Sequence, residues 1–176
     1  MNTSQFKTIV LAWIGVFAFR FFLLPFRAPN VEPILSVLMP LGKRTGALVS
    51  IGFAVSSILV YDALTSGWGS WTWAAAGAYG LVAVLATLYF RFAPATRGHF
   101  IGFGIVGTLI YDALTGLTVG PIIFEQSFAA ALAGQIPFTL LHLAGTVLFA
   151  AVVSPALDKA LVRQEQTAPA VAPANA

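Results

Sequence analysis

The sequence predicts an all-α integral membrane protein of about six transmembrane helices with an internal repeat. Three observations indicate this fold. Of the 176 residues, 59% are apolar and only 9% are charged, whereas roughly 25% are charged in an ordinary soluble domain. Apolar runs of about 20 residues, the length needed to cross a bilayer, recur between charged or Pro/Gly breaks. Residues 51–65 and 101–115 are close copies of each other. Lipid is therefore expected to cover most of the surface.

Four of the candidate spans are simple to assign. The first, 9–26, follows a short polar head, and Arg20 stands where a signal peptide would need small residues for cleavage. The next three are uninterrupted and long enough to cross: 45–65, 71–92 and 98–117. These four segments predict straight membrane helices.

Two further apolar stretches are less regular. Residues 28–42 contain three prolines and would reach only about 22 Å as a helix, so this segment is either a short crossing or a re-entrant loop. Residues 124–161 are too long for one crossing. The Gly and Pro residues at 134–137 predict a break there, with a short outer helix before it and a span over 136–156 after it.

The remaining composition limits both the organisation and the function. We expect one polytopic membrane domain over 1–163 and a disordered tail over 164–176, which is rich in Ala, Pro and Gln. The absence of cysteine excludes disulfides, cysteine-ligated zinc and thiol catalysis. The net charge of +3 comes from scattered residues rather than a basic stripe, so nucleic-acid binding is not expected.

The basic residues predict the orientation. Lysines and arginines occupy every second connection, at Lys43, Arg44, Arg91, Arg97, Lys159 and Arg163. The connections 66–70 and 118–123 contain neither residue type. Because basic loops are retained on the cytoplasmic side, we expect a protein of the cell membrane with these basic connections inside. If 28–42 crosses, six spans leave both termini cytoplasmic. If it is re-entrant, five spans move the amino terminus outside. Six is favoured because Lys7 then joins the other basic residues.

The internal repeat directs attention to two aspartates. Nine of fifteen positions are identical between 51–65 and 101–115, and both copies would run outward with one inward span between them. This pattern predicts a parallel duplication of a helix-pair unit. Each copy ends in Tyr-Asp-Ala-Leu-Thr, at Tyr61-Asp62 and Tyr111-Asp112. The aspartates either cap the local backbone or frame one extracytoplasmic pocket.

Other polar residues are expected on the same outer side. They are Arg20, Arg27, Asn30, Glu32, Trp68 and His142. Arg20 could instead snorkel to the interface, and His142 could satisfy an interhelical hydrogen bond. No hydrolase, zinc-protease or phosphate-loop motif is present in the sequence. We therefore expect neither enzymatic activity nor a metal or cofactor.

The sequence resembles the substrate-binding S components of energy-coupling factor (ECF) vitamin transporters. The resemblance covers about 19–161 and rests on Pro-Asn-Val-Glu-Pro-Ile at 29–34, a following Gly-rich span and an outer Asp-containing loop. It also rests on Pro-Phe-Thr-Leu-Leu-His-Leu-Ala-Gly at 137–145 and Ser-Pro at 154–155. Size and six-span topology agree with that family.

The resemblance implies high-affinity capture of a vitamin or similar micronutrient from outside and its uptake through the bilayer. The family's outer pocket would correspond to Arg27, Asn30, Glu32, Tyr61, Asp62, Trp68, Tyr111, Asp112 and His142. An acidic, aromatic pocket suits a cationic or heteroaromatic molecule. A membrane scaffold or assembly subunit that uses its repeat only for packing is the alternative.

The resemblance also implies a partner, an ECF transmembrane coupling subunit with two ATPases. Many family members contact that subunit through Ala-x-x-x-Ala on the first span. Here the small residues Ala12, Gly15 and Ala18 have a spacing of three. The sequence therefore leaves open a shared ECF module, a dedicated partner or a transporter that works alone.

Overall fold

The computed structural model describes residues 2–23, 25–26, 28 and 30–166, and this part of the chain is all-helical, without strands. Five described segments are long and apolar enough to cross a membrane, in agreement with a multi-pass membrane protein. The helices are α1 (Thr3–Phe22), α2 (Ile34–Thr45), α3 (Ala47–Leu64), α4 (Ser70–Phe92), α5 (Arg97–Asp112), α6 (Gly120–Ile123) and α7 (Phe128–Gln166). A π-helical segment, Ala113–Val119, joins α5 to α6.

Helix α1 begins earlier than the apolar run. Asn2 caps it: its side chain accepts from the Gln5 backbone at 2.8 Å, and the Gln5 side chain accepts from the Asn2 backbone at 3.1 Å. This reciprocal capping satisfies two backbone donors and makes the polar head the first turn of the helix. Asn2 also donates to the carbonyl of Gln164, near the end of α7. The beginning of α1 and the end of α7 therefore lie at the same end of the bundle.

Helix α2 forms the centre of the bundle. Its residues from Ile34 to Gly42 are buried, and it contacts α3, α4, α5 and α7 as well as α1. The helix has only 12 residues, about 18 Å at 1.5 Å per residue. The predicted span 28–42 is wrong at both ends: Pro33 precedes the first helical turn, and Gly46, with φ of +90°, separates α2 from α3.

A hydroxyl group compensates for the proline inside α2. Pro40 has no N–H, so the carbonyl of Ser36 four residues earlier lacks its helical donor. The Ser154 hydroxyl of α7 donates to that carbonyl at 2.6 Å, and both serines are buried. This bond ties α7 to the core and explains how the helix accommodates Pro40.

Helix α7 differs from the sequence prediction in two ways. It is continuous over 39 residues, so the predicted break at 134–137 is wrong. Pro137 removes one backbone hydrogen bond, and Gln135 and Thr139 on either side of it are bonded to each other, which keeps the turn in place. The helix also runs to Gln166, three residues into the predicted tail, and the rest of that tail is outside the described residues.

The basic connections gather at the end of the bundle that holds the beginning of α1 and the end of α7. Arg44 makes two hydrogen bonds to Asp158 of α7, at 2.7 and 2.9 Å. Lys43 donates to the carbonyls of Phe90 and Ala93 at the carboxyl end of α4. A lysine suits that position because the last carbonyls of a helix have no partner within it. We call this end the basic end and the other the opposite end.

Candidate binding site

A buried ion pair joins α1 to the segment before α2. Arg20 Nε lies 2.8 Å from Glu32 Oε2. Another nitrogen of the same guanidinium donates to the carbonyl of Ser57 in α3 at 2.9 Å, and its carbon lies 3.9 Å from the centroid of the Tyr61 ring. Arg20 is only 6% exposed, so the snorkelling alternative does not apply. The guanidinium therefore links α1, the segment before α2, and α3 inside the bundle.

A second pair of bonded polar residues joins α5 to α7. His142 Nδ1 is 2.8 Å from Asp112 Oδ1, and each residue is 2% exposed. A carboxylate only accepts hydrogen bonds, so Nδ1 carries the proton of this bond. Thr139, one turn before His142, donates to the other oxygen of Asp112 at 2.6 Å. Asp112 thus accepts on both oxygens from a single face of α7.

Tyr79 of α4 lies between the two pairs. Its hydroxyl donates to Glu32 Oε1 at 2.7 Å, and its oxygen is 3.5 Å from His142 Nε2. The Tyr79 and Tyr111 rings are 4.2 Å apart, and Tyr111 in turn packs edge-on against His142. The result is one buried network, which we call the polar core: Arg20, Glu32, Tyr79, Asp112, Thr139 and His142.

Two residues expected in the same pocket lie elsewhere. Asp62 accepts from the Thr72 hydroxyl at 2.7 Å, and its backbone carbonyl accepts from the turn that follows α3. Trp68 is 62% exposed and donates to the carbonyl of Leu59. Asp62 therefore caps the turn between α3 and α4, and the two aspartates of the sequence repeat have different surroundings.

The connection between α1 and α2 includes two further residues expected in the site, Arg27 and Asn30. Arg27 lies outside the described residues. Asn30 has φ of +63°, a left-handed conformation that asparagine tolerates, and its buried Nδ2 has no hydrogen-bond partner within the described part of the chain. Val31 packs directly against Gly145 of α7, whose missing side chain leaves room for this backbone. That contact holds Glu32 next to α7.

Comparisons with known proteins add no identification. No family model, curated protein or solved structure matches this chain. The likeness to S components accordingly stays a prediction that rests on the residues quoted above.

Sequence reasoning missed Tyr79, Thr139 and Gln135. Gln135 donates to Thr139 at 3.0 Å and extends the polar core toward the opposite end. Gln135, Thr139 and His142 have spacings of four and three, which put polar groups on one helix face. This spacing could have predicted Gln135 and Thr139 from the sequence. No local pattern distinguishes Tyr79, whose role depends on Glu32 lying beside it.

The polar core combines opposite charges, a histidine and a phenol inside the bundle. Among the described residues, no cluster of three or more His, Asp or Glu side chains could hold a metal ion. The carboxylates are matched by donors on α1, α4 and α7. Hydrogen bonds and close contacts thus run from Asp112 through His142 and Tyr79 to Glu32.

Proposed function

We propose that this protein captures a small micronutrient molecule at the opposite end and delivers it across the membrane, in the manner of the S components that it resembles. The observation that carries the proposal is the polar core. Charged and titratable side chains inside a membrane bundle are costly, and they mark binding sites or transport pathways more often than packing. Here four such groups converge from α1, the segment before α2, α5 and α7.

The orientation follows from the basic end. Lys43, Arg44 and Asp158 lie at one end together with Asn2 and Gln164. Under the positive-inside rule that end faces the cytoplasm of a cell-membrane protein. The opposite end, with its exposed tryptophans Trp68 and Trp73, then faces outward, where a scavenging protein must meet its substrate.

The alternative is a scaffold that uses the polar core only to hold its helices together. The two functions differ in what happens when one carboxylate is neutralised. In a capture protein, Asp112→Asn abolishes ligand binding even in the protein that remains folded. In a scaffold, the same change lowers stability only, and no ligand is involved.

Native mass spectrometry of the detergent-purified protein tests the proposal. The protein is measured as isolated and after exposure to a panel of vitamins, beside Asp112→Asn and Asp158→Asn. Asp158 is the matched control because it is a buried, paired carboxylate at the basic end. We expect a small-molecule adduct that Asp112→Asn loses and Asp158→Asn keeps. No adduct from any source, or equal loss in both variants, would favour the scaffold.

Uptake is tested with the molecule that this adduct identifies. Cells that express the protein should accumulate the radiolabelled molecule faster than cells that express Asp112→Asn at the same level in the membrane. Equal accumulation would exclude a transport role for the polar core. Dependence on a coupling subunit with two ATPases is tested by repeating the assay in cells that lack such subunits.

A further inference from the structure

A cavity of about 380 Å³ opens at the opposite end, between the start of α4, the π-helical segment with α6, and the first turns of α7. Its wall contains three aromatic rings, from Trp71, Phe124 and Phe138, and two side-chain amides, from Gln126 and Gln135. Glycines and alanines complete the lining. None of these residues belongs to the site expected from the sequence.

Two aromatic rings meet in one corner of the cavity. The Trp71 and Phe124 rings are 5.9 Å apart at an interplanar angle of 42°, so they form one corner of the wall. Gly116 and Gly120 form part of the lining beside them. A Cβ at Gly120 would lie 3.7 Å from the Trp71 ring. The faces of these rings offer a surface on which a planar molecule can stack.

The polar groups of this wall are uncharged. The cavity lining includes no Asp, Glu, Lys, Arg or His. The nearest carboxylate along the hydrogen-bond chain, Asp112, already accepts from Thr139 and His142. An amide offers two N–H donors and one acceptor, and one Gln135 donor is directed to Thr139. The wall therefore suits donors and acceptors of a neutral ligand better than an ion.

Gln135 connects the cavity to the polar core. Its amide lies directly over Gly116, in the position that a Cβ there would occupy. From that amide a continuous chain of bonds runs through Thr139 to Asp112 and His142. A ligand that bonds to the Gln135 amide would therefore lie next to the polar core.

We propose that this cavity binds a neutral, planar heteroaromatic ring that carries amide-like N–H and C=O groups. The inference rests on the proposed capture function and names the chemical class of its substrate. The ring stacks against Trp71 and Phe124, and its polar edge bonds to Gln126 and Gln135. Of the two ligand classes that the sequence suggested, this geometry favours the heteroaromatic one over a cation.

Equilibrium binding to the full-length protein in lipid nanodiscs tests the ligand class. The probes are lumichrome and nicotinamide, two neutral heteroaromatics, with 1-methylnicotinamide as the positively charged match of the second. We expect saturable binding of lumichrome, competition by nicotinamide and at least 10-fold weaker competition by 1-methylnicotinamide. Absence of saturable binding by both neutral probes, or equal competition by the cation, would overturn the proposal.

Variants of the lining test whether the ligand binds in this cavity. Gly116→Ala pushes the Gln135 amide into the cavity and should weaken lumichrome binding at least 10-fold. Gly102→Ala, where a Cβ meets no neighbour, should leave binding unchanged.

Trp71→Ala should weaken lumichrome binding about 10- to 100-fold, as expected for loss of ring stacking, and Trp71→Phe should restore most of the affinity. Trp73→Ala, outside the cavity, is the matched tryptophan control. Equal effects in test and control variants would place the ligand elsewhere.

The two proposals can fail separately. If the purified protein retains a charged molecule that Asp112→Asn loses, but binds neither neutral ring, the capture function stands and the ligand class is wrong. If the neutral rings bind and Gly116→Ala weakens their binding, but cells take up none of them, the cavity is a binding site and the proposed transport function is wrong.

Discussion

His142 and Asp112 are bonded across the contact between α5 and α7, with 2.8 Å between Nδ1 and Oδ1 and 2% exposure of each residue. The corresponding aspartate of the sequence repeat, Asp62, bonds to Thr72 in a half-buried turn. Two similar segments therefore place the same residue type in unequal environments. The difference predicts unequal energetic costs on substitution.

Asp112→Asn should destabilise the protein more than Asp62→Asn. Asparagine keeps the size of the side chain, but its amide group can oppose a donor where the carboxylate accepted twice. A buried polar group left without its partner costs about 1–3 kcal/mol, and a half-buried cap costs less. Thermal unfolding in detergent, followed by far-ultraviolet circular dichroism, measures both. Equal shifts in Tm would contradict the difference in burial.

The Arg20–Glu32 pair should show strong coupling. Removing one member of a buried ion pair leaves an uncompensated charge and costs about 3–5 kcal/mol, whereas replacing both members is often tolerated. Arg20→Met and Glu32→Gln should each lower stability, and the double variant should be more stable than Arg20→Met alone. A double-mutant cycle on unfolding free energies measures the coupling. Additive losses would show that the pair is not energetically linked.

Ser154→Ala should destabilise the protein, because Pro40 leaves the Ser36 carbonyl dependent on the Ser154 hydroxyl. Without the serine hydroxyl, the buried Ser36 carbonyl loses its donor, at a cost of about 1–3 kcal/mol. Adding Pro40→Ala supplies a helical N–H to the same carbonyl and should recover part of the loss. Ser57→Ala is the matched control, because its hydroxyl donates to the Phe53 carbonyl of its own helix, which has a backbone donor as well. No rescue by Pro40→Ala would contradict this account of α2.

Labelling should place both chain ends on the same side of the membrane. The chain has no cysteine, so single cysteines at Ser4, Gln166 and Ser66 report their own accessibility. In right-side-out cells, a membrane-impermeant maleimide should label Ser66→Cys and leave Ser4→Cys and Gln166→Cys unlabelled until the membrane is opened. Labelling of Ser4→Cys and Gln166→Cys from opposite sides would exclude an even number of crossings. Reversal of the whole pattern would invert the proposed orientation.

The sequence located most helices but misplaced some of their ends. Spans 45–65 and 71–92 agree with α3 and α4 within two residues, because each apolar run is bounded by glycine or by charge. The prediction of a break at 134–137 was wrong because a proline indicates only the loss of one backbone hydrogen bond. Whether the helix continues depends on packing and side-chain bonds on both sides of that proline. In the same way, the short second segment could not be assigned until its neighbours were known.

Some site residues could be predicted from the sequence because they are polar residues within or next to an apolar span. Arg20, Glu32, Asp112 and His142 stand out for that reason, and the structure brings them together in the polar core. Asp62 and Trp68 stand out equally in sequence, but Asp62 caps the end of α3 and Trp68 lies in the turn after it. Polarity alone does not separate a residue that joins helices from one that caps a turn.

The amino-acid sequence by itself determined that this chain is a helical membrane protein, because hydropathy and the length of apolar runs are local properties of the chain. It also determined which polar residues need compensation. Only the tertiary structure decided how they are compensated: Glu32 by Arg20 and Tyr79, Asp112 by His142 and Thr139, and the Ser36 carbonyl by Ser154. These pairings join residues far apart in sequence, and they depend on which helix faces pack together.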